Sequence, residues 1–222
     1  SWKDIFPKKG EIYFAGALEN NEDTGTLQYL ASTAMEAGFS TRVLDMQALD
    51  LQNGRFFDPA GELVNRCFKL YPWEWMVDES PDGCLAEMEW LEPIWKLVMS
   101  NKAILATLYE LFPDSPYVLP CYLSRPRSGL FCKKPVFSRE GHNVSVVDIR
   151  NWEEHVRIAE TEGDYNTGAY VYQEYVEPTV YSGRYPVIGS WIIGGEAAGI
   201  GIRENRMEVT DNLSEFVPHI IG

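Results

Sequence analysis

Long apolar runs are missing from these 222 residues. No stretch approaches the ~18 apolar residues that a membrane-crossing helix needs, so no transmembrane segment is expected. The opening SWKDIFPKKG lacks the apolar core of a signal peptide. Positive charge is scarce: Lys and Arg number 19 against 33 Asp and Glu, a formal balance of −14. That balance argues against a nucleic-acid partner, whose capture depends on neutralising phosphates. Histidine is rarer still, and His142, His155 and His219 are too dispersed for a zinc site. The four cysteines, Cys67, Cys84, Cys121 and Cys132, form no C-x-x-C pair, so reduced thiols in the core of a cytoplasmic protein are expected. G-x-S-x-G, H-E-x-x-H and Walker A patterns are absent as well. Chemistry, if there is any, must come from lysines, arginines, carboxylates and backbone amides.

What is present is globular in character, with 45% hydrophobic and 23% charged residues. The first third reads as α/β. Glu11–Leu18 is a short apolar run of strand type. Thr24–Ala37 has helical spacing at Leu27, Leu30, Ala31, Ala34 and Met35, with Gly38 as a stop. Thr41–Met46 returns as a strand, which makes a βαβ unit and a parallel sheet. Leu63–Leu70 is a further strand. Five large aromatics (Tyr71, Trp73, Trp75, Trp90, Trp95) then crowd residues 71–95. They suit either a packed core or one wall of a ligand cleft. Asp78–Gly83 reads as a polar loop and as the domain boundary, dividing an α/β domain 1–80 from a domain 81–222. In the latter, Asn101–Phe112 is an amphipathic helix. Strands follow at Tyr117–Leu119, Leu130–Val136, Asn143–Val147, Ala169–Val176, Val187–Ile193 and Ala197–Ile202. Glycine turns between them indicate α+β with antiparallel sheet.

The candidates for chemistry are cationic. Lys102 opens the helix, and Lys134 ends a strand that runs into Ser138-Arg139-Glu140-Gly141. A lysine beside a glycine-bearing loop can hold a polyphosphate, through a point charge and close backbone approach. A solvated charged loop is the plain alternative. The strand Val171–Val176 ends in Gln173-Glu174-Tyr175-Val176. Its backbone N–H and C=O groups could meet an adenine edge, with Tyr175 or Val176 packed on the ring. A hairpin turning at Gly194-Gly195 delivers Arg203, which could stabilise developing negative charge or merely form a surface salt bridge.

In this order and spacing, Tyr71-Pro72-Trp73-Glu74, Leu91-Glu92-Pro93-Ile94-Trp95, Asn101-Lys102-Ala103-Ile104-Leu105, Lys134-Pro135, Arg139-Glu140-Gly141, Tyr172-Gln173-Glu174 and the glycine hairpin through Arg203 resemble the glutathionylspermidine synthase family, a group of ATP-grasp carboxylate–amine ligases. Ser190-Trp191-Ile192 and Thr210-Asp211-Asn212 look closer to its stand-alone branch than to the bifunctional synthetase/amidase. The resemblance covers nearly the whole chain. It implies a pre-ATP-grasp-like βαβ domain followed by an ATP-grasp-like domain.

The resemblance also implies roles. Lys102 and Lys134 match ATP-phosphate lysines. Arg139, Glu140 and Gly141 fall in a loop that closes over the phosphates. Gln173, Glu174, Tyr175 and Val176 match the adenine-contacting segment, and Arg203 matches an arginine that stabilises an acyl phosphate or tetrahedral state. Val187, Glu208 and Val209 fall near nucleotide contacts, and Leu70 falls where the family has a substrate contact of a different residue type. The implied reaction joins a carboxylate, such as that of a glutathione-like peptide, to an amine or polyamine through an acyl phosphate, with ATP and Mg2+. A non-catalytic nucleotide- or peptide-binding module is the alternative.

The family's metal-binding carboxylates and asparagine lie upstream of the position matching Ser1. No metal ligand is therefore assigned here, and the chain is expected to be a C-terminal portion that is inactive alone. Glu19-Asn20-Asn21 spells E-x-N, whose oxygens suit Mg2+. It follows the first strand, however, where the family has no metal site, and it reads as an exposed turn.

Overall fold

The computed structural model describes residues 2–158, 160–165, 168–209, 211 and 214–220. Thr210 and Asn212, two of the residues that carry the resemblance, lie outside them. After a short helix α1 (Trp2–Ile5), strand β1 (Glu11–Gly16), helix α2 (Asn21–Glu36) and strand β2 (Ser40–Asp45) form the expected βαβ unit, with β1 and β2 parallel. Asn20 caps α2: its side-chain oxygen accepts from the backbone N–H groups of Glu22 (2.8 Å) and Asp23 (3.5 Å). The E-x-N spelling is thus a helix start. Leu27, Ala31 and Ala34 on the inner side of α2 pack with Ile12 and Phe14.

The stretch expected as one strand over Leu63–Leu70 divides at Asn65. Strands β3 (Asp50–Gln52), β4 (Arg55–Phe57) and β5 (Leu63–Val64) make a small antiparallel sheet. Strand β6 (Arg66–Leu70) joins β1 in parallel instead. Asp78–Gly83 is not a loop. Helix α3 (Trp73–Glu79) is followed by helix α4 (Pro81–Cys84) with Pro81 in its first turn. Met76, Gly83 and Cys84 are buried there. Strand β7 (Glu89–Leu91) completes a parallel sheet of order β2-β1-β6-β7. Because β7 hydrogen-bonds to β6, the chain divides after Leu97 rather than after Ser80, into Ser1–Leu97 and Val98–Gly222. The aromatic cluster is split between roles. Trp73 is buried and meets Trp90 edge-on at 5.6 Å, Tyr71 meets Trp75 at 5.5 Å, and Trp95 is exposed.

Helix α5 (Leu97–Ser100) straddles the division. The second unit has helix α6 (Ala103–Leu111) and strands β8 (Cys121–Tyr122), β9 (Gly129–Pro135), β10 (Ser145–Arg150), β11 (Glu153–Ile158) and β12 (Tyr170–Glu174), in the order β11-β10-β9-β12-β8. Every pairing in this sheet is antiparallel. Tyr117–Leu119 is not a strand: Tyr117 is fully exposed, and pairing starts only past Pro120. β11 is an addition to the expected set. It returns from β10 over Asn151 and Trp152, both at positive φ (54° and 72°). A tight hairpin requires that conformation, but neither residue is glycine, so the turn left little sequence signal. Strands β13 (Tyr185–Ile193), β14 (Glu196–Asn205) and β15 (Glu215–Val217) form a separate antiparallel sheet, turning at Gly194-Gly195 as expected. Phe131, Val147, Ile149 and Tyr172 form one core cluster of the five-stranded sheet, and Ala106, Cys121 and Val171 form another on the face where α6 packs. All four cysteines are free thiols.

Candidate functional site

Successive side chains of a strand point to opposite faces, so β9 sends its two adjacent lysines in opposite directions. Lys133 forms an ion pair with Glu154 at 2.7 Å and sits 4.9 Å over the Tyr170 ring. Lys134 turns the other way, with Cys132, and its ammonium donates to the Gln173 side-chain oxygen at 2.7 Å. Gln173 lies across from Cys132 on the neighbouring β12. Its side-chain oxygen thus holds a lysine.

Lys102 reaches the same face of the sheet from the start of α6. Its backbone N–H donates to the Val136 carbonyl at 2.8 Å, anchoring the helix just beyond β9. Its ammonium donates to both the carbonyl and the hydroxyl of Ser138, the latter at 2.9 Å. The next residues make a tight turn in which the Arg139 carbonyl accepts from His142 N–H at 2.8 Å. Glu140 and Gly141 at its centre have φ of 56° and 75°. Glycine adopts that conformation without strain, whereas glutamate does so only where neighbours enforce it. Here Thr161 supplies a hydroxyl that donates to the Gly141 carbonyl.

Lys102, Lys134, Arg139, Glu140 and Gly141 together line one cavity of about 320 Å3 in the second unit. Those five residues were singled out from sequence. Cys132 and Ser138 also line it. Cys132 was expected to be a plain core thiol, and only its two-residue spacing from Lys134 on a strand could have marked it. Burial pushes its thiol pKa up, the Lys134 charge opposes that rise and Glu208 adds to it. Glu208 and Val209, which follow β14, close another side of the cavity.

The remaining candidates fall elsewhere. Glu174, Tyr175 and Val176 do not line the cavity. The backbone N–H groups of Glu174 and Tyr175 already donate to the carbonyls of Pro120 (2.7 Å) and Leu130 (3.0 Å). They are not available to an adenine edge, because β12 continues to pair with neighbouring chain past its formal end. The Tyr175 ring lies under the Arg157 guanidinium at 5.4 Å, and its phenol donates to Glu208 at 2.6 Å. Arg203 is on β14, paired with Val187 and Phe216, and its guanidinium sits 6.0 Å from the Phe216 ring centre. It lies on a different sheet from the lysines and does not line their cavity.

A larger cavity, about 930 Å3, opens in the first unit at the N-terminal ends of β1, β6 and β7. Its arginines are engaged by carboxylates on its own rim, Arg55 by Glu87 at 2.9 Å and Arg66 by Glu89 at 2.6 Å. Its charges thus largely balance one another. Among the described residues no group of three or more His, Cys, Asp or Glu side chains could hold a metal ion. No helix among them is long and apolar enough to cross a membrane.

A Haemophilus influenzae protein that bears the provisional name acid–amine ligase is 36% identical over 207 residues, covering 89% of this chain and 53% of that protein. Trypanothione synthetase of Crithidia fasciculata is 36% identical, over 93% of this chain and 35% of its own length. The bifunctional glutathionylspermidine synthetase/amidase of Escherichia coli is 26% identical, over 90% and 36%. The chain therefore spans about half the length of the first relative and about a third of the other two. The fold is similar to that of the D-cycloserine synthetase DcsG in its crystal structure, with a TM-score of 0.54 and 14% identity over 95% of this chain and 76% of that one. The sequence profile described as glutathionylspermidine synthase preATP-grasp matches residues 1–222 in full, and the chain belongs to that family.

Proposed function

We propose that these residues carry the nucleotide-binding part of an ATP-dependent acid–amine ligase, with Ser1–Leu97 as a pre-ATP-grasp-like unit and Val98–Gly222 as an ATP-grasp-like one. The observation that carries the reading is the convergence of Lys102, from the start of a helix, and Lys134, from a strand, on one cavity beside the Arg139-Glu140-Gly141 turn. Two ammonium groups and an arginine suit a polyphosphate. In this reading a carboxylate oxygen of the acid attacks the γ-phosphorus of ATP and ADP departs. The resulting acyl phosphate is attacked at carbon by an amine, which loses a proton as inorganic phosphate leaves and an amide remains. The protein contributes position and charge. Lys102 and Lys134 hold phosphate oxygens, and the Ser138–Gly141 turn covers them and limits water. With the N–H groups of Glu174 and Tyr175 engaged, an adenine edge would meet the Glu174 carbonyl and the Val176 N–H instead. The names of the relatives suggest a glutathione-like acid and a polyamine as substrates. No step is assigned to a metal.

Titration calorimetry with ATP and Mg2+ tests the reading on wild type and Lys134→Ala. Losing one charge-assisted contact to phosphate is expected to weaken binding about ten-fold or more. Equal affinity in the two proteins, or no binding to either, would sink it.

A further inference from the structure

The turn at residues 138–141 is held by more than the cavity's own residues. A second segment, residues 160–165, packs against the chain at residues 141–144, although none of its side chains lines the cavity. Gly163 is the point of closest approach. A Cβ there would lie 2.4 Å from the His142 Cβ and 2.7 Å from Asn143 Oδ1, so a residue without one is required. Hydrogen bonds then stitch the two segments together. Asn143 N–H donates to the Thr161 carbonyl at 3.2 Å, and Thr161 N–H donates to the Val144 carbonyl at 3.0 Å. The buried side chain of Asn143 adds two more: its oxygen accepts from Tyr165 N–H at 2.9 Å, and its nitrogen donates to Glu160 at 3.0 Å.

The Thr161 hydroxyl has a separate effect. It donates its one proton to the Gly141 carbonyl and accepts from Val144 N–H at 2.9 Å. Gly141 and Val144 both line the cavity, so one side chain outside it bridges two residues of its wall. The peptide between Gly141 and His142 is thereby fixed at both ends, its carbonyl by Thr161 and its N–H by the Arg139 carbonyl at 2.8 Å. With that plane set, Glu140 and Gly141 have little freedom to leave φ of 56° and 75°. Glutamate disfavours that region, and a released turn would leave it. We infer that Thr161 is a positioning residue of the phosphate site, acting through the Gly141 carbonyl and Val144 N–H to keep the covering turn in its binding shape. The inference rests on the nucleotide reading above and names what holds the turn. A turn that takes the binding shape only part of the time lowers the affinity by that fraction.

Calorimetry with ATP and with inorganic triphosphate, each with Mg2+, tests it on wild type, Thr161→Val, Thr161→Ser and Lys134→Ala. Valine keeps the bulk of threonine and loses the hydroxyl, whereas serine keeps the hydroxyl and loses a methyl group. Positioning through the hydroxyl predicts that Thr161→Val weakens both probes about five-fold, the scale on which one lost hydrogen bond shifts the population of a turn. Thr161→Ser should bind as wild type does. A packing role predicts the reverse order, with serine the weaker binder. Should Thr161→Val fail to fold, Gly163→Ala takes its place. It parts the two segments at their closest approach and should weaken both probes at least as much. Binding that depends on Lys134 but is unchanged in Thr161→Val or its replacement, or is weakened as much in Thr161→Ser, overturns the inference and leaves the nucleotide reading standing. If wild type binds neither probe, or binds both independently of Lys134, both fall.

Discussion

Lys69 offers the sharpest test of the energetics of this fold. Only 5% of the residue is exposed. It lies on β6 beside Ala15 of β1, on the face that also buries Cys67 and Trp73. Its ammonium donates to the Tyr71 carbonyl at 2.8 Å and rests 4.0 Å over the Trp73 ring. Burial pulls its pKa down from 10.5 to about 8, against the opposing pull of Glu92 and Glu74. Each pKa decade corresponds to about 1.36 kcal/mol, so keeping this lysine charged costs the fold about 3 kcal/mol at pH 7. Between pH 8 and 10.5 the unfolded chain binds a proton that the folded one does not, so the group's contribution to stability improves as pH rises through that window. Lys69→Met conserves the length and removes the titration. Urea unfolding of both proteins at pH 7 and pH 10 is the assay. The stability difference in favour of Lys69→Met is expected to shrink by about 2.5 kcal/mol over that interval. Parallel changes in the two proteins would show that Lys69 titrates as an ordinary lysine and would refute the reasoning.

Two further substitutions test the scaffold. Ile149→Ala removes a side chain that is 1% exposed, packed with Phe131, Val147 and Tyr172. It should cost about 2–5 kcal/mol by denaturant unfolding, because the cavity left behind adds to the lost burial. Asn20→Ala removes the cap of α2 and should cost about 1 kcal/mol with no effect on ATP affinity. A change in affinity there would contradict its reading as a helix start.

The βαβ unit was legible because both of its signals are local: an apolar run, and a helical period closed by Gly38. The domain boundary was not, because it depends on β7, a strand of three residues that is defined only by its pairing with β6. Residues 78–83 look polar and loop-like in sequence. They become helical where the buried faces of Met76 and Cys84 pack into the core around Trp73, a tertiary effect that local propensity does not contain. In the site, Lys134 could be preferred over Lys133 because the strand turned toward an Arg-Gly loop just beyond it. Pleating did the rest. What the sequence could not reveal was hydrogen-bond assignment. Gln173, Glu174 and Tyr175 were grouped as one adenine-contacting segment, but each has a separate partner: Lys134, the Pro120 carbonyl, and the Glu208 carboxylate together with the Leu130 carbonyl.

The charge balance of −14 makes the choice of partner for each cation matter more than the number of cations. Arg42 is surrounded by Glu11, Asp58 and Glu62 at 2.6–2.9 Å, and Lys133 is matched by Glu154. Such cations are neutralised locally and exert little pull on an approaching polyanion. Lys134 is held instead by the neutral amide of Gln173. An amide oxygen orients an ammonium group without cancelling its charge, so Lys134 keeps its position and its field together. Lys134, which faces the cavity, is thus held by a neutral group, while Arg42 and Lys133 are paired with carboxylates. Gln173→Glu would leave Lys134 oriented but cancel its charge. Calorimetry with ATP should therefore show Gln173→Glu as more damaging to binding than Gln173→Ala, the reverse of what a loss of orientation alone would give.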